Sequence, residues 1–169
     1  MGADVYRKTA FLSVMIAFAL ILSYIEYLVP FYFGAPGIKL GLANFIIILI
    51  LYRFGWKEAL AVNGTRIILS GFLFGNLFAI MYSIAGAMIS FFFMLIIKKT
   101  KGFSILGVSI CGGVTHNIGQ LLIAMFVVQT SGVLYYIPVL MIGGIITGLL
   151  IGILASQVLK RLPQNGELL

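Results

Sequence analysis

An all-α integral membrane protein of six transmembrane helices, with both termini on the cytoplasmic side, is what this sequence predicts. Three observations carry the prediction. The 169 residues are 62% hydrophobic and only 9% charged, with a mean hydropathy of +1.19, whereas a soluble domain carries about 25% charged residues. No water-facing surface can be built from that inventory, so the bilayer is the solvent. Six apolar runs with short breaks fill the chain, and each span needs roughly 20 apolar residues, which leaves no room for a soluble catalytic domain. The basic residues, finally, fall in alternate breaks.

The first run, residues 9–29, follows a short polar start. It lacks a convincing cleavage site, so it is expected to be a retained helix and not a removed signal peptide. Pro30 ends it. The loop Phe31-Tyr32-Phe33-Gly34-Ala35-Pro36-Gly37 cannot continue a helix. Its aromatics suit either the headgroup level of a membrane or a lid over a site. The second and third runs, residues 39–52 and 58–72, are joined by Arg53-Phe54-Gly55-Trp56-Lys57. They are short, about 21–23 Å at 1.5 Å per residue, and are expected to tilt or to be enclosed by neighbours. A turn at residues 71–76 leads to the fourth run, 77–97. Lys98-Lys99-Thr100-Lys101-Gly102 leads to the fifth, 104–129, and Thr130-Ser131-Gly132 to the sixth, 135–159. The six runs form one domain.

The charges test the count. With the N-terminus inside, Arg7, Lys8, Arg53, Lys57, Lys98, Lys99, Lys101, Lys160 and Arg161 all lie inside, nine of the eleven basic residues. Lys39 alone lies outside, at a helix edge, and Arg66 falls within the third helix. This is a nearly complete positive-inside pattern. Five or seven helices would put a basic cluster on the wrong side. The net charge of +7 is therefore read as topology, and no nucleic-acid partner is expected.

Several chemistries are excluded. No Gly-rich phosphate loop ending in Lys-Ser or Lys-Thr is present, so the chain does not hydrolyse ATP by that route. A prenyl diphosphate synthase needs paired aspartates as hard oxygen ligands for magnesium, and the only aspartate is Asp4. One histidine and one cysteine, Cys111, give no usual metal or haem set. Neither a cofactor nor stand-alone catalysis is expected.

Polar groups in hydrocarbon are costly and ask for a reason. Arg66 lies near mid-depth of the third helix. His116, Asn117 and Gln120 lie in the middle of the fifth, with His116 and Gln120 four apart on one face. Asn44 lies in the outer half of the second helix, Glu26 one turn from the outer end of the first, and Lys39 at the outer start of the second. Together they are expected to line a cavity open to the outside, with Arg66 and His116 near its floor. A fixed cation, adaptable amides and a titratable imidazole suit a small polar or anionic molecule. The bland alternatives are an Arg66 neutralised by Glu26 or by helix-end carbonyls, and a His116 that only bridges helices. Glu58, beside the inner linker, is expected to pair with a nearby lysine. Small residues recur at Gly144, Gly148, Gly152 and Ser156, at Ala79, Ser83 and Ala87, and at Ala10, Ser13 and Ala17. Such faces let helix backbones approach closely, within this chain or with another subunit.

The segments Pro36-Gly37-Ile38-Lys39-Leu40-Gly41-Leu42-Ala43-Asn44 and Thr115-His116-Asn117-Ile118-Gly119-Gln120, with Tyr82-Ser83-Ile84-Ala85-Gly86 and Val108-Ser109, resemble the Gx transporter family, often labelled heptaprenyl diphosphate synthase component I. The resemblance runs from about residue 8 to 160. That family is similar to the substrate-binding S components of energy-coupling factor importers, which are six-helix membrane proteins. The resemblance implies capture of a vitamin or an isoprenoid-related precursor from outside. It also implies a membrane-embedded coupling subunit with two ATPases as partners. Ala10, Ser13 and Ala17 would be the docking face, with Ser13 and Ala17 a relaxed form of the usual Ala-x-x-x-Ala. The alternative is a non-catalytic membrane partner of a prenyl diphosphate synthase or quinone pathway, or of a flavin-linked electron-transfer assembly.

Overall fold

A computed structural model of the chain describes residues 2–28 and 41–162. Among them there are six α-helices and no strand: α1 (Gly2–Leu28), α2 (Leu42–Arg53), α3 (Trp56–Leu73), α4 (Leu77–Lys99), α5 (Ile105–Val128) and α6 (Ile137–Arg161), with a 3₁₀ segment, Ser131–Tyr136, before α6. The all-α class expected from composition is what the structure shows. Lys39 and the aromatics of the loop between the first two helices lie outside the described residues.

Four stretches are long and apolar enough to cross a membrane: Val5–Leu28, Leu77–Lys99, Ile105–Val128 and Ser131–Arg161. The other two helices differ for separate reasons. α3 carries Lys57, Glu58 and Arg66. α2 has only 12 residues, about 18 Å of helix, well short of a bilayer core of about 30 Å. It is apolar on every side, and Ile46 to Leu51 are all buried, as befits a helix enclosed by others. α1 is the opposite case. Its apolar length is almost wholly unburied, and it meets the bundle through α2 and α3, with Phe11 against Phe54 at 5.2 Å.

Contacts order the helices in a ring: α1, α3, α4, α5, α6, α2 and back to α1, with α2 also touching α3. Two seams of the ring are set by glycine. A Cβ added to Gly148 would lie 2.6 Å from Ile110 Cα, and one on Gly144 would lie 2.8 Å from Val114 Cα. Ser109 Oγ donates to the Gly148 carbonyl at 2.6 Å across the same seam. The Gly144, Gly148 and Gly152 face is therefore spent on α5 within this chain. The α4–α5 seam has the same cause, because a Cβ on Gly119 would lie 2.9 Å from Gly86 Cα.

Polar side chains finish the ends. Lys98 Nζ donates to the Leu51 carbonyl at 2.5 Å and sits 4.5 Å from the Tyr52 ring. It thus places a cation at the negative end of α2. Glu58 pairs with Lys8 at 2.6 Å, which ties the start of α3 to α1. Asn76 Oδ1 accepts from Ala79 N at 2.8 Å and caps α4.

Gly148→Val is expected to lower stability by roughly 1–3 kcal/mol, as overpacking does. Gly64→Ala, where an added Cβ meets nothing within 4 Å, is expected to be neutral or stabilising by up to about 1 kcal/mol. Thermal unfolding of both variants in the same detergent checks this, and equal midpoints would mean that α5 and α6 do not meet at Gly148.

Candidate functional site

The ring of helices encloses a cavity of about 270 Å³. One end lies at the α3–α4 turn, where Phe74 and Asn76 line it beside Tyr27 of α1. The Tyr24 and Tyr27 rings pack on Phe74 with centroids 5.3 and 5.7 Å away. The other end is walled by Met94, Ile47 and Ile151. Ala79, Ser83, Ala87, Ser90 and Met94 of α4 all line it, a stripe about 22 Å long at 1.5 Å per residue. The small residues of α4 thus leave room for the cavity on one side of the helix.

The levels of the polar groups follow from the helix pairings. Gly71 of α3 abuts Ile80 of α4, and Gly86 of α4 abuts the side chains of His116 and Gln120 of α5. Arg66 is five residues along α3 from Gly71, and Gly86 six along α4 from Ile80. In antiparallel neighbours those steps run the same way, roughly 8–9 Å. Arg66, His116 and Gln120 therefore share one level, and all three line the cavity.

Arg66 is 8% exposed. Its Nη2 donates to Asn63 Oδ1 at 2.7 Å and its Nη1 to Ser23 Oγ at 3.3 Å. The negative charge of Glu26 acts on it through space. Glu26 Oε1 also accepts from the Leu42 backbone N–H at 2.9 Å, so a carboxylate of α1 serves the first turn of α2. Asn117 Nδ2 donates to the Leu140 carbonyl at 2.8 Å, fixing the amide against α6. Gln120 is only 2% exposed. Arg66 Nε and Gln120 Nε2 are buried without a hydrogen-bond partner among the described residues. Buried polar atoms are nearly always partnered, so two spare donors lining one cavity from different helices mark a place for an acceptor.

Of the site residues expected from sequence, Glu26, Asn44, Arg66, His116, Asn117 and Gln120 all line this one cavity. Lys39 lies outside the described residues. Ala10, Ser13 and Ala17 lie on the exposed side of α1, away from the cavity lining. Two residues that sequence reasoning passed over are Asn63 and Ser23, the partners of Arg66. The signal for Asn63 was its spacing, three before Arg66 on one helix face. Ser23, on another helix, had none.

Fold and site together define a membrane-like, all-helical protein with a polar cavity inside its bundle. Within that class, the chain belongs to the family described as heptaprenyl diphosphate synthase component I, which matches residues 15–158. The match takes in every cavity residue named above. No curated protein and no solved structure matches the chain.

Asn63→Ala is expected to cost roughly 1–3 kcal/mol, because it strips a buried guanidinium of an acceptor. Adding Arg66→Met to it is expected to recover part of that loss, since the guanidinium left without its Asn63 acceptor is then removed as well. A thermal double-mutant cycle in detergent measures the coupling, and strictly additive losses would separate the two residues.

Proposed function

We propose that the chain is a substrate-binding membrane subunit of an energy-coupling-factor-type transporter, capturing a small polar or anionic metabolite from the outer side. The observation that carries this reading is the pair of unspent buried donors, Arg66 Nε and Gln120 Nε2, lining one cavity within the bundle. Structural polar residues would be expected to satisfy one another. These converge from α3 and α5 on common space. The basic residues favour six spans with both termini inside, since nine of the eleven cations, Arg7, Lys8, Arg53, Lys57, Lys98, Lys99, Lys101, Lys160 and Arg161, fall on one side in that arrangement.

The chemistry of the lining favours binding over catalysis. It offers amides, hydroxyls, one imidazole and one guanidinium, with Glu26 as the carboxylate, and the sequence has no paired aspartates to hold magnesium and diphosphate. The energy for transport would come from a membrane-embedded coupling subunit and its ATPases. Ala10, Ser13 and Ala17, exposed on α1, are the docking face in this reading, since small residues let helices approach closely.

The family description favours a second reading, a non-catalytic membrane component that works with a prenyl diphosphate synthase. Its cavity would then serve an isoprenoid-related molecule in place. Co-purification separates the two. ATPases and a second membrane subunit arriving with the chain support the importer, and a soluble synthase supports the component.

Native mass spectrometry of the gently purified protein is expected to show one stoichiometric small molecule, with its occupancy reduced about tenfold or more in Arg66→Ala and in His116→Ala. Tenfold corresponds to about 1.4 kcal/mol of binding, the scale of a single lost hydrogen bond to a charged group. Unchanged occupancy in both folded variants would sink the site assignment.

A further inference from the structure

The cavity's polar groups are not evenly arranged. α2 begins inside the bundle. Its N-cap, Gly41, has φ 70° and gives the helix no side-chain cap, and a Cβ on it would lie 3.4 Å from Ile151 Cδ1 of α6. Gly41, Ala43 and Asn44 line the cavity, and Ala43 is buried. The first N–H groups of a helix have no acceptor within it, and the helix dipole makes that end positive. A half-length helix starting within a membrane bundle presents this positive end to the interior, as transporters do toward anionic groups.

Arg66 adds a full charge beside it, buried and with Nε unspent, and Gln120 adds another unspent donor. Between the two positive poles the chain already has an oxyanion. Glu26 Oε1 accepts from Leu42 N at 2.9 Å, and its charge acts on Arg66. A carboxylate oxygen thus already rests against the first turn of α2.

We propose that the cavity takes a ligand with a compact oxyanion, a carboxylate or a phosphate, seated between the N-terminus of α2, Arg66 and Gln120. Glu26 is the chain's own counter-ion for that seat and gives way to the ligand. This rests on the capture reading above and names its substrate class. The anion gains the Arg66 Nε and Gln120 Nε2 donors that Glu26 leaves unused. Deeper in, Ile47 and Met94 receive the uncharged remainder of the molecule. Glu26 also sets selectivity: a neutral ligand cannot replace its negative charge near Arg66, and a cation is repelled by Arg66.

The test is the unfolding midpoint of the chain in lipid nanodiscs, at fixed ionic strength, titrated with inorganic phosphate and with acetate against chloride. Glu26→Gln removes the competing charge. It is expected to show a saturable rise at a concentration on the order of tenfold below wild type, the scale of one neighbouring like charge. Arg66→Gln is expected to show no rise beyond chloride. A response to phosphate alone assigns a phosphate ligand, and equal responses to both anions assign a carboxylate. The proposal is overturned if Glu26→Gln gains nothing, or if Arg66→Gln responds like wild type. Should Arg66→Gln fail to fold, Arg66→Lys keeps the charge but loses the Nε donor, and an undiminished phosphate response in it overturns the proposal. A neutral molecule found bound by native mass spectrometry overturns the anion seat while leaving the capture reading in place. A chain that binds neither anions nor any co-purified molecule overturns both.

Discussion

Arg66 is a cation inside a bundle of apolar helices, and much of the surrounding structure can be read as the answer to that fact. An unpaired charge in a low-dielectric interior is among the most expensive things a protein can bury. Two helices share the cost here. Asn63 comes from α3 itself, Ser23 and Glu26 from α1. Because Glu26 also holds the first N–H of α2, one carboxylate ties the end of α1 to the start of α2 while its charge acts on the guanidinium through space. A cation placed only for stability would serve poorly, since an apolar side chain of similar volume often packs better than a buried ion. Its retention, with one N–H unspent, is easier to understand as recognition than as architecture.

The opposite wall is made by a different force. α4, α5 and α6 approach so closely at Gly86 with Gly119, and at Gly144 and Gly148 with the α5 backbone, that no side chain fits between them. What drives that approach in a lipid environment is van der Waals packing and hydrogen bonds such as Ser109 to Gly148. His116 and Gln120 lie beside the Gly86 seam and Asn117 reaches the Leu140 carbonyl of α6, and all three also line the cavity. The site on α5 thus adjoins its packing seams.

Much of this was legible in the sequence, and the limits have physical reasons. The all-α class follows from composition together with the length of the apolar runs. Arg66, His116, Asn117 and Gln120 stood out because polar groups in apolar runs need a reason, and they meet at one cavity. Small-residue stripes were less informative. Gly144 and Gly148 pack within the chain, Ala79 and Ser83 open space for a cavity, and Ala10 and Ser13 face outward. The same residue sizes permit all three, and only the neighbour decides. Ser23 was invisible because its role depends on the contact between two helices distant in sequence. The dual duty of Glu26 was invisible too, because it depends on where α2 begins, and α2 begins against Glu26 at the cavity lining.

The two walls meet the ligand space with unequal stiffness. α4, α5 and α6 are joined backbone to backbone, while α1, α2 and α3 meet through side chains such as Phe11 on Phe54 and Lys8 on Glu58. Backbone contacts at glycine leave no slack, because interiors packed at such density do not deform continuously. Side-chain contacts can be exchanged one rotamer at a time. A ligand held by Arg66 on one wall and Gln120 on the other would link the rigid half to the adjustable half. It would do so at the level where Glu26 anchors the start of α2. Occupancy at the cavity's centre would then be felt at the end of α1, the helix whose apolar length is almost wholly unburied.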